Sequence, residues 1–231
     1  MKNLPNATLS CALFLFAHQA AAASVALDFH SLPSAQGWVY FSEGPPVPES
    51  SVFSVDGSGT LTMNSSVTNA AYYSLKGALD PSLSFQLVST ARSLSGDTAL
   101  AFYVMAAGKG AAVHLAPDSI TVLANGNWLT VPGVDNTNFS EFKLVGSFSG
   151  NFSFYKDGSL IYTAPMENLG SLSTNQLDLG DGGSLGSGVA QISSYVLTQP
   201  VPEPTIQLLL GIGIAIIVLG RNYKAMSSSG T

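Results

Sequence analysis

Hydrolysis of a glycosidic bond needs two carboxylates held roughly 5 to 9 Å apart, which on a β-strand means i, i+2 or i+4 spacing along one face. The nearest pairs are Asp178 with Asp181, separated by an expected turn at Gly180, and Asp135 with Glu141, on opposite sides of a loop. Neither pair has the required spacing. His30 and His114 have no serine, aspartate or second histidine spaced for a triad or a metal site, so each is read as a solvated strand residue. Ca²⁺ is the one cofactor with any candidates, since Asp178, Asp181 and the glycine-rich GDGGSLGSG stretch offer oxygen ligands. The same glycines and serines are what a long turn at a sandwich edge requires, and no third carboxylate is near in sequence. A turn, without a cofactor, is the expectation.

Sugar recognition asks for other residues: aromatic faces on which sugar rings stack, with Asn, Asp and backbone groups to meet the hydroxyls. Trp38, Tyr40, Tyr72, Tyr73 and Trp128 are the candidates. Strand alternation sends one of the adjacent Tyr72 and Tyr73 into a core and the other outward. Trp128 follows Asn125-Gly126 by two residues and therefore sits near a hairpin tip. The competing role for each ring is a cross-strand pair that only stabilises a sheet.

The elements that must position these residues read as all-β. Short segments rich in Val, Ile, Thr, Phe and Tyr alternate with turn residues every eight to twelve positions, the pattern of a sandwich or barrel. Asn125-Gly126 joins SITVLA to NWLTV, and Asp157-Gly158 joins NFSFYK to SLIYT; both dipeptides supply the positive φ angles of a type I′ hairpin. In FSEFKLVGSF, Phe142, Leu144 and Phe148 point one way while Glu141, Lys143 and Ser147 point the other. Phe152 with Phe154, Ile120 with Val122, and Leu100, Phe102 with Val104 repeat this. No stretch before Thr205 sustains helical spacing over three turns. Two antiparallel sheets packed face to face would bury the apolar stripes.

Both chain ends read as export machinery. Lys2 supplies a positive start, Leu9 to Ala17 an apolar core, and Ala20 to Ala23 small residues for a signal peptidase, with cleavage after Ala22 or Ala23. The only cysteine, Cys11, falls in this segment, so the mature domain has no disulfide and rests on its core. From Thr205 to Gly220 run sixteen uncharged, mostly apolar residues, a helix of roughly 24 Å that suits a short membrane span. Arg221 and Lys224 follow it and orient it with the domain outside. Residues 24–199 then form one domain, with five basic residues against thirteen acidic ones as far as residue 200, a net charge of minus eight. That balance excludes nucleic acid and anionic lipid surfaces as partners, both of which need a basic patch.

Two resemblances rest on these stretches. VALDFHSLPSAQGWVYF as an opening strand, the hairpin FSFYKDGSLIY and the closing LDLGDGGSLGSGVAQISSYVL resemble the concanavalin A-like, laminin-G-like jelly rolls. Tyr155, Lys156, Asp157 and Gly158 match that family's late hairpin, and Leu177 to Gly180 its Leu-x-Leu-Gly strand; Ser193 and Ser194 stand where an acidic pair often precedes the last aromatic. The Glu-x-Asp-x-x-Glu motif of the family's hydrolases has no counterpart here. Val201, Pro202, Glu203 and Pro204, followed by the apolar run and Arg221 with Lys224, resemble a PEP-CTERM sorting signal. That resemblance implies recognition by an exosortase in the inner membrane of a Gram-negative-type bacterium, then delivery to the cell surface or extracellular matrix. The prolines also suit a stiff extended stalk, so a permanent tail anchor stays open. The reading as a whole is a non-enzymatic, exported jelly-roll protein of the extracellular polysaccharide layer, structural or glycan-binding. A divergent polysaccharide-active enzyme of the same fold is the alternative.

Overall fold

The computed structural model describes residues 23–44, 46–68, 70–169, 175–181 and 187–200. The expected signal peptide, residues 1–22, the VPEP step, the apolar run 205–220 and Arg221 with Lys224 lie outside the described residues. Among those described, no helix is long and apolar enough to cross a membrane.

The strands in chain order are β1 Ala23–Leu27, β2 Val39–Glu43, β3 Phe53–Val55, β4 Leu61–Asn64, β5 Ala70–Lys76, β6 Ser84–Gly96, β7 Leu100–Ala106 and β8 Lys109–Ala116. There follow β9 Ser119–Ala124, β10 Asn127–Pro132, β11 Ser140–Ser147, β12 Asn151–Lys156, β13 Ser159–Pro165, β14 Glu167–Asn168, β15 Gln176–Asp181 and β16 Gly188–Gln199. The only α-helix among the described residues is the single turn Glu49–Val52. One sheet runs β13-β12-β11-β6-β16-β4-β3, with β1 also on β16; the other runs β10-β9-β8-β7-β15-β5-β2, with β14 also on β8. Every pairing is antiparallel.

The alternation read from the sequence is what closes the core. Phe142, Leu144, Phe148, Phe152 and Phe154 from the first sheet and Leu100, Phe102, Val104, Ile120 and Val122 from the second are all buried, while Glu141 is exposed. Each such side chain contributes about 2 kcal/mol by leaving water. The rings interlock: Phe53 lies 4.4 Å from Tyr73, Trp38 meets Tyr195 edge-on at 5.6 Å, and Phe142 stacks on Phe154 at 6.0 Å. Both hairpin dipeptides have the left-handed backbone of a type I′ turn, with φ of 54° and 72° at Asn125 and Gly126 and of 48° and 77° at Asp157 and Gly158.

Two expectations are corrected. VALDFHSLPSAQGWVYF is not one opening strand: β1 lies in the first sheet, a 3-10 turn at Pro33–Gln36 follows, and β2 lies in the second. Pro33 and the left-handed Gly37 end the extended run, and the Asp28 carboxylate holds the crossing by accepting from the His30 backbone N–H and the Gln36 amide. His30 is therefore solvated, as expected, but in a bend rather than a strand. The second correction is at Gly180, which is no turn but the interior of β15, opposite Ala101 on β7 and Tyr72 on β5. A Cβ there would stand 2.6 Å from the Ala71 carbonyl oxygen and 2.7 Å from the Tyr72 Cα, and φ is 142°, so close strand approach is what requires glycine.

Candidate functional site

Alternation decides what the second sheet shows on the side away from the core. On β7, Leu100, Phe102 and Val104 enter the core, so Ala101, Tyr103 and Met105 take the outer face. Residues directly opposite each other share a face, so His114 joins Ala101, Thr121 joins His114, Thr130 joins Thr121 and Trp128 joins Leu123. In the other direction Asp178 joins Tyr103, Ser74 joins Asp178, and Tyr72 joins Phe41. The middle of this face carries the small residues Ala101, Ala112, Gly110 and Gly180, with Ala101 and Ala112 buried and the Leu169 side chain lying against Gly110.

Aromatic rings stand at both ends of that stretch. Trp128, 46% exposed, lies over the His114 ring at 4.2 Å and 35°. His114 is buried, and its Nε2 is 2.7 Å from the Tyr103 hydroxyl. Burial pushes its pKa down to about 4, so the imidazole is neutral at physiological pH and its tautomer decides which partner donates. At the other end Phe41 and Tyr72 stack at 5.4 Å and 21°. Trp128 on β10 and Tyr72 on β5 are five strand steps apart, about 24 Å at the usual spacing, which is room for several sugar rings.

Between the two ends sits Asp178, 8% exposed. The Gln176 side-chain amide donates to both its carboxylate oxygens, at 2.8 Å each. Burial raises its pKa, offset in part by the Ser74 hydroxyl, the Gln176 amide and the Lys76 ammonium. The phenols nearby feel the same charge. Burial first, then Asp178 and Glu43, raise the pKa of Tyr72; burial, then Asp181, Asp178 and Glu43, raise that of Tyr103. The face is thus apolar at its ends and acceptor-rich and electronegative at its centre. Such an arrangement offers ring faces for stacking and carboxylate oxygens that accept hydrogen bonds.

Of the five candidate stacking residues, the structure brings Tyr72 and Trp128 to this face and withdraws the rest. Trp38 and Tyr73 are 3% and 0% exposed in the core and have no face for a sugar. Tyr40 points inward on β2, packs on Phe53 and Tyr73, and donates its hydroxyl to the Val47 carbonyl at 2.9 Å. Tyr72 outward and Tyr73 inward follow the alternation. By alternation Asp178 and Asp181, three apart on one strand, fall on opposite faces, and residues 182–186 of the glycine-rich stretch lie outside the described residues. Among the described residues no three metal-ligating side chains come together. His114 is corrected from solvated to buried, because the larger Trp128 and Tyr103 roof it. Phe41, Tyr103 and His114 were missed as site residues, although Tyr103 was legible: Phe102 and Val104 inward leaves it outward.

No protein-family model matches the chain, and no curated protein matches it by sequence. Solved structures do resemble it. A conserved carbohydrate esterase from the Shiga toxin-encoding bacteriophage phi24B is similar with a TM-score of 0.54 at 10% identity, over 78% of this chain and 100% of that one. A glycosyl hydrolase family protein from Mycobacterium fortuitum is similar with a TM-score of 0.50 at 14% identity, over 75% of this chain and 98% of that one. A sialidase is similar with a TM-score of 0.53 at 12% identity, over 75% of this chain but 18% of the sialidase. At such identities the likeness is one of fold, an all-β sandwich of two antiparallel sheets of jelly-roll type.

Proposed function

We propose that the protein is a non-enzymatic, exported surface protein that binds a neutral glycan along the outer face of its second sheet, from Trp128 to Tyr72. The observation that carries this is Asp178. It is a largely buried carboxylate, hydrogen-bonded by the Gln176 amide and set among small residues between two aromatic ends, and its charged form is disfavoured by burial, so added hydroxyl donors would stabilise it. That the fold is shared with a carbohydrate esterase and a glycosyl hydrolase family protein supports a carbohydrate ligand. The carboxylates favour binding over hydrolysis. On this face Asp178 and Glu43 are two strands and four residues apart, roughly 16 Å by strand geometry, well beyond the spacing of a glycosidase pair. Titration calorimetry of the protein with neutral oligosaccharides of increasing length tests the reading. Affinity should rise with length until the face is spanned and fall about tenfold in Trp128→Ala, roughly 1.4 kcal/mol. Product release from the same oligosaccharides, abolished by Asp178→Asn, would instead establish the divergent polysaccharide-active enzyme.

The export half of the proposal rests on the termini. Signal peptidase would remove the leader ending at Ala22 or Ala23, and an exosortase would act at Val201 to Pro204, releasing the domain from its transient membrane helix to the cell surface or matrix. The domain is suitably closed at its end: Gln199, the last residue of β16, pairs with Ala23 and exchanges side-chain hydrogen bonds with the Asp80 backbone at 2.7 and 2.9 Å. Mass spectrometry of the surface fraction should find no peptide from residues 206–231, whereas intact C-terminal peptides there would leave the permanent tail anchor.

A further inference from the structure

Trp128 stands on an edge strand. Among the described residues β10 pairs with β9 alone, so the orientation of its outermost ring depends on what steadies the β9–β10 tip. A type I′ turn leaves the amides of its two central residues, Asn125 and Gly126, pointing away from the hairpin with no ladder partner. Both are taken by one side chain from far along the chain. The Glu167 carboxylate accepts from the Asn125 N–H with one oxygen and from the Gly126 N–H, at 3.0 Å, with the other.

Glu167 is itself firmly placed. It opens β14, which pairs with β8 at Gly110 and Lys109, the positions where the edge of β8 passes from β9 to β14. On one side Met166 is buried in the core and its N–H donates to the Gly150 carbonyl at 3.0 Å; on the other the Leu169 N–H donates to the Gly108 carbonyl at 2.9 Å. A carboxylate anchored in the sandwich therefore clips the hairpin that carries Trp128. We infer that Glu167 is a positioning residue for the glycan face: its bidentate hold on the Asn125-Gly126 turn fixes the Trp128 ring over His114, ready to stack on a sugar.

The affinity arm of the test rests on the glycan-binding reading; the exchange arm does not. In Glu167→Ala, hydrogen exchange at the Asn125 and Gly126 amides should accelerate by an order of magnitude or more while the β8 amides keep their protection. Glu167→Gln, which keeps the side chain's size but offers one acceptor in place of two, should fall between. Affinity for the longest bound oligosaccharide should drop several-fold in Glu167→Ala, and Glu167→Ala combined with Trp128→Ala should bind no more weakly than Trp128→Ala alone, because both act through one ring. Additive losses, wild-type affinity in Glu167→Ala, or unchanged exchange at the turn would each overturn the inference. If the wild-type protein binds no oligosaccharide, the glycan reading fails by itself, and exchange at Asn125 and Gly126 still decides whether the clip exists.

Discussion

At the scale of single residues, Asp178 and His114 leave opposite marks on stability. The folded-state pKa of Asp178 is raised, so the native chain gives up its proton less readily than the unfolded chain does, and the carboxylate destabilises the fold as pH rises above the ordinary aspartate range. Asp178→Asn should accordingly raise the melting temperature at neutral pH, with the gain fading below about pH 4, while glycan affinity falls by about 2 kcal/mol for a lost charged acceptor. Differential scanning calorimetry across pH, beside titration calorimetry, checks both signs; an aspartate there for folding alone would lose stability in that variant. His114 works the other way. With its folded pKa lowered to about 4, the unfolded chain binds the proton first, so stability is complete above about pH 6.5 and is lost as pH falls towards 4. The loss amounts to about 3 kcal/mol at about 1.4 kcal/mol per unit. Urea titrations at stepped pH should show this slope in the wild type and not in His114→Phe, which has no proton to take up.

At the scale of elements, the hairpins were legible and the faces only partly so. Asn125-Gly126 and Asp157-Gly158 announce their turns because few dipeptides accept two positive φ angles in succession, and alternation in FSEFKLVGSF fixes its inward set. Which aromatic residue faces out is a matter of register, so Trp38, Tyr40 and Tyr73 look like Tyr72 and Trp128 until their strands are paired. The Glu167 clip was invisible for a related reason: its partners are more than forty residues away and its own strand is two residues long. Gly180 was misread because glycine breaks strands and also permits strands to crowd. The distinction is measurable. In Gly180→Ala the new methyl meets backbone atoms that cannot move aside, so β15 must shift, and a loss of about 2 to 4 kcal/mol in urea unfolding is expected. A turn at Gly180 would tolerate alanine for about 1 kcal/mol.

At the scale of the whole molecule, a chain whose one cysteine is Cys11, before the described residues, assembles a disulfide-free sandwich by burying two alternating stripes, and leaves one outer face lined with rings, small residues and a costly carboxylate. The net negative charge of the domain and the electronegative centre of that face agree in favouring neutral ligands, so acidic polysaccharides should bind weakly and more so at low salt. On the outer face of the other sheet the Lys143 ammonium lies over the Tyr155 ring and the Arg92 guanidinium over Phe139, and a cavity of about 440 Å³ is lined by Gln86, Val145 and Thr198. The most direct measurement is NMR shift mapping of the isotopically labelled protein titrated with a neutral oligosaccharide long enough to span the face. Shifts should concentrate at Tyr72, Tyr103, His114, Trp128 and Asp178 and leave Lys143 and Tyr155 unmoved. Shifts confined to the outer face of the first sheet, or none with any neutral oligosaccharide, would contradict the account.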